Sequence, residues 1–276
     1  MVRIYLAEIP EPAEMEPGEV EPAEMEPGEV EPAVMKPAVM KPAVMKPAEM
    51  ESAAIEPEAE ESGKGAGGPG GRRARSQSAA ARRLLMRALE KEYPELAGTF
   101  RVEKDERGKP FLKGHEEICI SISHSGRLAA CAIGAKTVGV DVEQRRSRLN
   151  QERIARRFHP GEQKVLAAEP EDMKERAFYD LWVRKESFLK AVGEGLRLRL
   201  DSFCTVEEAE TAQSSEGGGA VIRVSQNIRR EACYIRQYEL EGGEYSLAAC
   251  SEEADFAEYP EWILLGTLSE DERSGR

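Results

Sequence analysis

The chain has 276 residues, of which 40% are hydrophobic, and a formal net charge of -13. This length is enough for one large domain or two small ones with a hydrophobic core. Between Glu11 and Glu60 there are 14 Glu and 3 Lys, so the rest of the chain carries a net charge of only -2. A nucleic-acid-binding role is not expected, because it needs a concentrated basic surface.

The cysteines and the apolar runs indicate the cellular compartment in which the protein is expected. The five cysteines form no C-x-x-C pair, and several of them, such as Cys131 and Cys250, lie within apolar runs. This pattern favours buried, reduced thiols. The apolar stretch at the start is too short for a secretory signal, and no apolar run approaches the roughly 20 residues that span a bilayer. We therefore expect a cytoplasmic protein with no membrane partner.

The first 71 residues divide into a strand and a low-complexity tract. Residues 1–10 alternate and are rich in branched side chains, which predicts a strand. Residues 11–71 contain a pentad repeat of the type EPAEM and then the segment GKGAGGPGG. A proline in every fifth position blocks a continuous helix, and a period of five matches neither a helix face nor a strand face. The tract is predicted to be disordered or polyproline-like, followed by a flexible linker.

The remaining segments predict mixed strands and helices. Residues 72–113 contain a helix, SQSAAARRLLMRALEKEY, with Ser76 or Gln77 as its cap, and then a strand and a turn at Gly108-Lys109-Pro110. Residues 114–256 contain a hairpin turning at His124-Ser125-Gly126, the strand TVGVDVE, and two helices separated by His159-Pro160. They continue with a long amphipathic helix closed by Gly193 and four further strands. Residues 257–276 form a tail. The elements do not alternate as βαβ units, so the predicted class is α+β.

Two acidic residues on one strand form the first candidate site. Asp141 and Glu143 in VGVDVE point to one face of the strand, while Val140 and Val142 point to the other. Two carboxylates about 7 Å apart at Cα suit a hard cation with oxygen ligands. A solvated strand end is the alternative interpretation of a lone D-x-E pattern.

The long helix and the hairpin tip supply the other candidates. On the helix, Glu186 lies about 40° from Trp182 at the rim of the apolar arc, and Lys190 follows it at i+4. An exposed Glu–Lys pair is the alternative there. At the hairpin tip, Ser123 and His124 stand in the segment SHSG, whose hydroxyls, imidazole and amides can bind a phosphate. A polar turn without a function is the alternative at this site.

Taken together, the ordered segments GKPFL, ISISHSGRLAACAIG, VGVDVE, FYDLWVRKESFLKAVGEGL and LDSF resemble the surfactin-synthetase-activating type of 4′-phosphopantetheinyl transferase. The central motifs of that family are close to G-(I/V)-D-(I/V)-E and W-x-x-K-E-(S/A)-x-x-K. This sequence has Gly139-Val140-Asp141-Val142-Glu143 and Trp182-Val183-Arg184-Lys185-Glu186-Ser187-Phe188-Leu189-Lys190. The resemblance covers Gly108 to Ser251 and is weaker at Met1 to Ala7 and Ser76 to Leu96.

The resemblance implies an activity and a set of site residues. The family transfers the phosphopantetheine of coenzyme A to a serine of an apo acyl or peptidyl carrier protein and releases 3′,5′-ADP. It implies Mg²⁺ bound by Asp141, Glu143 and Glu186, with Lys190 neutralising the pyrophosphate and Glu186 taking the serine proton. It also implies that Ser123 and His124 grip the CoA phosphates and that Lys109 contacts the 3′-phosphate.

The resemblance also implies a fold of two similar α+β halves about a pseudo-two-fold axis, and a monomer. The pentad repeat stands where the family has a helical region with basic residues for CoA. Arg72, Arg73 and Arg75 are candidate substitutes. A degenerate homologue that binds CoA or a carrier without transfer is therefore the alternative to an active transferase. A protein that binds partners through residues 11–60 is a third hypothesis.

A cluster of arginines follows the acidic strand. Its charge suits an acidic carrier protein. A solvated helix face is the alternative interpretation. The cluster comprises Arg145, Arg146, Arg148, Arg153, Arg156 and Arg157.

Overall fold

A computed structural model describes residues 1–9, 69–147, 150–206 and 221–266, which all belong to one compact unit. The first elements are β1 (Arg3–Glu8), α1 (Pro69–Glu92), β2 (Val102–Lys104), β3 (Pro110–Leu112), β4 (Cys119–Ser125), β5 (Leu128–Gly134) and β6 (Val138–Gln144). Three helices follow: α2 (Gln151–Ala155), α3 (Pro160–Ala168) and α4 (Lys174–Val192). The last strands are β7 (Phe203–Cys204), β8 (Val221–Arg223), β9 (Ser225–Gln226), β10 (Tyr234–Tyr238), β11 (Tyr245–Ser251) and β12 (Glu261–Trp262). The predicted α+β class is confirmed.

The first sheet has the strand order β12-β1-β5-β4. The hairpin strands β4 and β5 pair antiparallel, β5 pairs antiparallel with β1, and β12 adds to β1 in parallel. Helix α1 covers one face, where Leu84, Leu85 and Leu89 are fully buried against Tyr5 and Cys131. These leucines recur at helical spacing, so they form one apolar face of α1 that packs on the sheet.

The second sheet has the order β6-β11-β10-β8, and all of its pairs are antiparallel. Helix α4 covers one face, where Phe188 and Leu189 pack with Ile235 and Ala248. Gly193 ends this helix in the left-handed conformation, at φ 77°, as its position after the last apolar residue predicts.

The inner faces of the two sheets pack against each other. Ile4 and Leu6 of β1 contact the same buried cluster as Val140 and Val142 of β6. The described elements therefore form four layers, with α1 and α4 on the outside and the sheets between them. Successive side chains of a strand point to opposite faces. Because Val140 and Val142 face the inner layer, Asp141 and the residues two positions before and after it face α4.

A further buried cluster, formed by residues of α4 and of the segment before α3, lies beside the second sheet's helix. Phe158, Phe178 and Trp182 stack with near-parallel rings, at centroid distances of 5.8 to 6.4 Å. Below them Lys185 and Glu162 form a fully buried ion pair, at 2.6 Å. Glu162 also accepts hydrogen bonds from the backbone and hydroxyl of Thr205, and Lys185 donates to the carbonyls of Leu200 and Phe203. This network fixes the rotation of α4 about its axis, because every polar atom of the pair has a partner.

Several boundaries differ from those predicted. Helix α1 begins at Pro69 and not at Ser76 or Gln77, because proline is well suited to the first position of a helix. The hairpin turns at Gly126 and Arg127, so His124 and Ser125 are strand residues. The predicted tail contributes β12, whose two residues pair with Tyr5 and Leu6. The pentad repeat and most of the glycine-rich linker lie outside the described residues, so their predicted disorder stays a prediction.

Within the described part of the chain, no helix combines the length and the apolar character that crossing a bilayer requires.

Candidate functional site

The candidate site lies where the edge of β4 meets the edge of β6. Val140, Val142 and Gln144 direct their amide hydrogens toward β4, where serine hydroxyls accept them at 3.1, 3.4 and 3.1 Å. The acceptors on β4, named here the serine ladder, are Ser121, Ser123 and Ser125. The ladder supplies hydrogen-bond acceptors to backbone amides at the edge of β6 that would otherwise be buried without a partner.

Ser123 links the hairpin to the acidic strand and to α4. Its hydroxyl donates to Asp141 Oδ1 at 2.8 Å. Lys190 Nζ donates to the same Ser123 Oγ and the same Asp141 Oδ1, at 2.8 Å each. Asp141 is only 4% exposed, and this ammonium compensates part of its buried charge.

Gly139 allows α4 to approach the acidic strand. A Cβ at this position would lie 2.0 Å from the carbonyl oxygen of Ser187 and 2.5 Å from the amide of Ala191. The helix backbone therefore rests directly on the strand two residues before Asp141. This close approach is what places Lys190 within hydrogen-bonding distance of Asp141.

Glu186 and Glu143 complete a group of three carboxylates. Burial, followed by the charge of Asp141, raises the pKa of Glu186 to about 7, with Lys190 opposing and Glu143 adding to the rise. Glu143 accepts a hydrogen bond at Oε2 from Ser125, at 2.8 Å. Three acids whose charges disfavour one another, beside a single lysine, suit a site that binds a further cation.

The carboxylate oxygens at this site are of the kind that divalent cations such as Mg²⁺ prefer as ligands. Asp141 Oδ2 is buried and has no hydrogen-bond partner among the described residues, so one carboxylate oxygen is available to a ligand. In the described ranges, no group of three or more His, Cys, Asp or Glu side chains is placed closely enough to hold a metal ion. An incomplete set of carboxylates matches Mg²⁺, which keeps several waters and takes further oxygens from substrate phosphates.

Comparison with known proteins identifies the family. The sequence model of the 4′-phosphopantetheinyl transferase superfamily matches residues 137–250. The chain is 36% identical over 154 residues to a 4′-phosphopantetheinyl transferase of Bacillus subtilis, covering 55% of this chain and 63% of that relative. It is 32% identical over 175 residues to the 4′-phosphopantetheinyl transferase Sfp of Bacillus subtilis strain 168, covering 63% of this chain and 73% of that relative. The chain belongs to the 4′-phosphopantetheinyl transferase family.

Further matches extend the comparison to other genera. The chain is 36% identical over 100 residues to the 4′-phosphopantetheinyl transferase gsp of Aneurinibacillus migulanus, covering 36% of this chain and 41% of that relative. The matched range 137–250 contains β6, α4 and β11. The matched range therefore contains the strand and the helix that carry the three carboxylates.

His124 lies at the contact between the hairpin and α1. Its Nε2 is 3.2 Å from Ser78 Oγ, and Gln77 Nε2 donates to the Gly126 carbonyl at 2.8 Å. Gly126 is needed at the tip, because at φ 58° a Cβ would also lie 2.4 Å from Gln144 Oε1. The predicted phosphate-binding tip therefore lies against the third turn of α1 and the end of β6.

Lys109 is not part of the carboxylate group. Its ammonium donates to the Ala191 carbonyl at 2.5 Å, in the last turn of α4. Burial lowers the pKa of Lys109. It also lines a cavity of about 360 Å³ whose walls include Phe111 and Cys119. The predicted contact of Lys109 with the 3′-phosphate of CoA stays a prediction, and the structure adds the helix end and the cavity as its surroundings.

The arginines of the basic cluster differ in their environment. Arg145 is committed to the fold, because it donates to Ser246 Oγ at 3.0 Å and to the Gly243 carbonyl at 2.7 Å. Arg153, Arg156 and Arg157 are exposed on and after α2. Arg148 lies outside the described residues. The cluster thus retains an exposed basic face.

Three contributions to the site went unrecognised in the sequence. Ser123 was predicted to grip a phosphate, and its hydroxyl bonds Asp141 and Lys190. Ser125 is predicted as a turn residue whose hydroxyl can bind a phosphate, whereas this hydroxyl donates to Glu143. The motif that contains Gly139 does not indicate its close contact with α4. The S-x-S-x-S alternation of β4 against the D-x-E alternation of β6 is the signal that could have indicated the serine ladder.

Proposed function

We propose that this chain transfers the 4′-phosphopantetheine of coenzyme A to a serine hydroxyl of an apo acyl or peptidyl carrier protein and releases 3′,5′-ADP. The observation that supports this most directly is the convergence of Asp141, Lys190 and Ser123, which come from three separate motifs, through hydrogen bonds of 2.8 Å. Family membership supports the reaction class, and this convergence supports the assignment of these residues to it.

Asp141, Glu143 and Glu186 are the residues that would hold Mg²⁺. The cation would supply charge neutralisation at the pyrophosphate of CoA. The unpartnered oxygen of Asp141 and the pKa of Glu186, which is raised first by burial and then by the charge of Asp141, support this assignment, because Lys190 offsets only part of the negative charge. Lys190 lies on the same side of the site and carries a further positive charge toward the phosphates.

Glu186 is the proposed general base. In the transfer, the serine oxygen of the carrier forms a bond to the β-phosphorus of CoA, and the bond from that phosphorus to the oxygen of the leaving 3′,5′-ADP breaks with its electron pair. The serine proton goes to the Glu186 carboxylate. Without a bound cation, burial raises the pKa of Glu186 to about 7, and a base works best when its pKa lies near the operating pH.

The CoA site is proposed to include Ser123, His124 and Lys109. The hairpin offers the imidazole of His124 to phosphates, and the cavity beside Lys109 offers apolar walls to the rest of the cofactor. The family fold places two similar halves about a pseudo-two-fold axis. The two helix-covered, four-stranded sheets of this chain are the proposed halves.

The carrier protein is proposed to dock beside the exposed arginines of α2. Carrier proteins of this kind are acidic, so opposite charge would accelerate encounter. A cytoplasmic monomer is part of the same proposal, and the five free cysteines agree with a reducing compartment. The alternative of a degenerate CoA-binding homologue is not favoured, because Asp141, Glu186 and Lys190 are all in place.

The experiment that tests the transfer follows release of 3′,5′-ADP from CoA by liquid chromatography, with apo carriers from fatty-acid, polyketide and peptide synthases. Release of 3′,5′-ADP that needs both the carrier and a divalent cation supports the proposal. Glu186→Gln is expected to abolish it, and Glu175→Gln, the same change near the start of α4, is expected to leave it unchanged. CoA binding without ADP release with any carrier would instead favour the degenerate homologue.

A further inference from the structure

The serine ladder joins strands from two different sheets. Its bonds advance by two residues on β4 and by two residues on β6, from Ser121 with Val140 to Ser125 with Gln144. The two strands therefore run in the same direction along their contact, and one face of β4 follows one edge of β6. At the hairpin tip, the Arg127 amide donates to Tyr245 Oη of the neighbouring strand β11, at 2.9 Å.

Two of the three serines perform a second task. Ser123 donates its hydroxyl hydrogen to Asp141 at 2.8 Å, and Ser125 donates its own to Glu143 Oε2 at 2.8 Å. A hydroxyl has one hydrogen to donate and can accept at the same time, so each of these serines holds a backbone amide and a carboxylate together. Ser121 accepts the Val140 amide, and its hydroxyl has no bond to a carboxylate among those described.

We propose that Ser125 is a positioning residue that orients the Glu143 carboxylate toward the divalent cation. This inference rests on the proposed function. Glu143 is half-buried near the end of β6 and has three rotatable side-chain bonds, so its carboxylate needs a fixed partner to present an oxygen reproducibly. The hydrogen bond from Ser125 supplies that partner, and the amide of Gln144 holds the Ser125 hydroxyl in turn.

The matched control for this proposal lies in the same ladder. Ser125→Ala removes the acceptor of one edge amide and the donor to Glu143. Ser121→Ala removes the acceptor of one edge amide alone. A purely structural role predicts that the two variants behave alike, whereas a positioning role predicts that only Ser125→Ala changes cation binding. Ser125→Thr restores the hydroxyl on a side chain that suits a strand.

The test is Mn²⁺ binding in the presence of CoA, measured from the electron paramagnetic resonance signal of the free ion, with melting temperatures recorded for every variant. Ser125→Ala is expected to raise the Kd for Mn²⁺ about 10-fold or more, as removal of a partner of a metal ligand typically does. Ser121→Ala is expected to keep the wild-type Kd while melting at a lower temperature, and Ser125→Thr to keep both. In the transfer assay, saturating Mg²⁺ should recover most of the kcat of Ser125→Ala.

Failure of the positioning role and failure of the proposed function give different results. Equal Kd values for Ser125→Ala and Ser121→Ala, or a wild-type Kd for Ser125→Ala, overturn the positioning role. The proposed function still stands in that case if the wild-type chain transfers phosphopantetheine. A wild-type chain that neither binds Mn²⁺ with CoA nor releases 3′,5′-ADP overturns the proposed function and this inference together.

Discussion

Gly139→Ala is expected to separate α4 from the acidic strand. The added Cβ would lie 2.0 Å from the Ser187 carbonyl oxygen and 2.5 Å from the Ala191 amide. Real Cβ atoms essentially never approach another heavy atom more closely than 3.0 Å, so the helix must retreat by at least about 1 Å. Both contacts are backbone atoms, and no side-chain rotation can relieve them.

The magnitude follows from the geometry of the site. A retreat of about 1 Å along the bond between Lys190 and Asp141 would lengthen it from 2.8 Å to about 3.8 Å, beyond hydrogen-bonding distance. A misplacement of that size costs about 100-fold in rate in a preorganised site. Overpacking of this kind costs about 1–3 kcal/mol of unfolding free energy.

The assay measures kcat/KM for the carrier together with unfolding in urea. Gly161→Ala is the control, because its Cβ would meet nothing closer than the side chain of His159, at 3.3 Å. We expect Gly139→Ala to lose about 100-fold in kcat/KM while remaining folded. Wild-type activity and stability in Gly139→Ala would refute the argument that contact with this glycine sets the position of α4.

Three further predictions concern α4 and its partners. Lys185→Met leaves the Glu162 carboxylate buried without its cation and should lower the free energy of unfolding in urea by about 3–5 kcal/mol. Adding Glu162→Gln should recover part of this stability. A loss below about 1 kcal/mol would contradict the buried pair. In EDTA, burial and nearby Asp141 raise the pKa of Glu186 from 4.5 to about 7. The folded state then binds this proton more tightly than the unfolded state, so stability present at low pH is lost as pH rises through about 7, by up to about 3 kcal/mol. Thermal unfolding checks this, and the slope should disappear in Glu186→Gln; an unchanged slope would oppose it. Lys190→Met should lower the rate of 3′,5′-ADP release about 100-fold, and a rate near wild type would show that this ammonium does not act on the phosphates.

Local periodicity predicted much of the second half of the molecule. The alternation in TVGVDVE predicted that Asp141 and Glu143 share a face, and Val140 and Val142 are indeed buried in the inner layer. The amphipathic pattern and Gly193 predicted α4 and its end. These features depend on residues within one or two turns or strand steps, so a single sequence contains the information.

Features that depend on distant residues could not be predicted in the same way. The pair of Lys185 and Glu162 joins two helices, and nothing near either residue indicates its partner. The two-residue strand β12 is too short for a periodic signal and is held by pairing with Tyr5 and Leu6. The serine ladder needs β4 and β6 to meet at the edges of separate sheets, which is a property of the assembled fold.

The central claim is that this chain modifies a carrier serine, and intact-mass spectrometry of the carrier tests it most directly. The purified chain, CoA, Mg²⁺ and an apo carrier domain are mixed, with a carrier whose acceptor serine is replaced by alanine as the control. The account predicts that the carrier gains the mass of one phosphopantetheine, and that EDTA, Asp141→Asn or Glu186→Gln each prevents the gain. An unchanged carrier mass with every class of carrier, while CoA still binds, would contradict it.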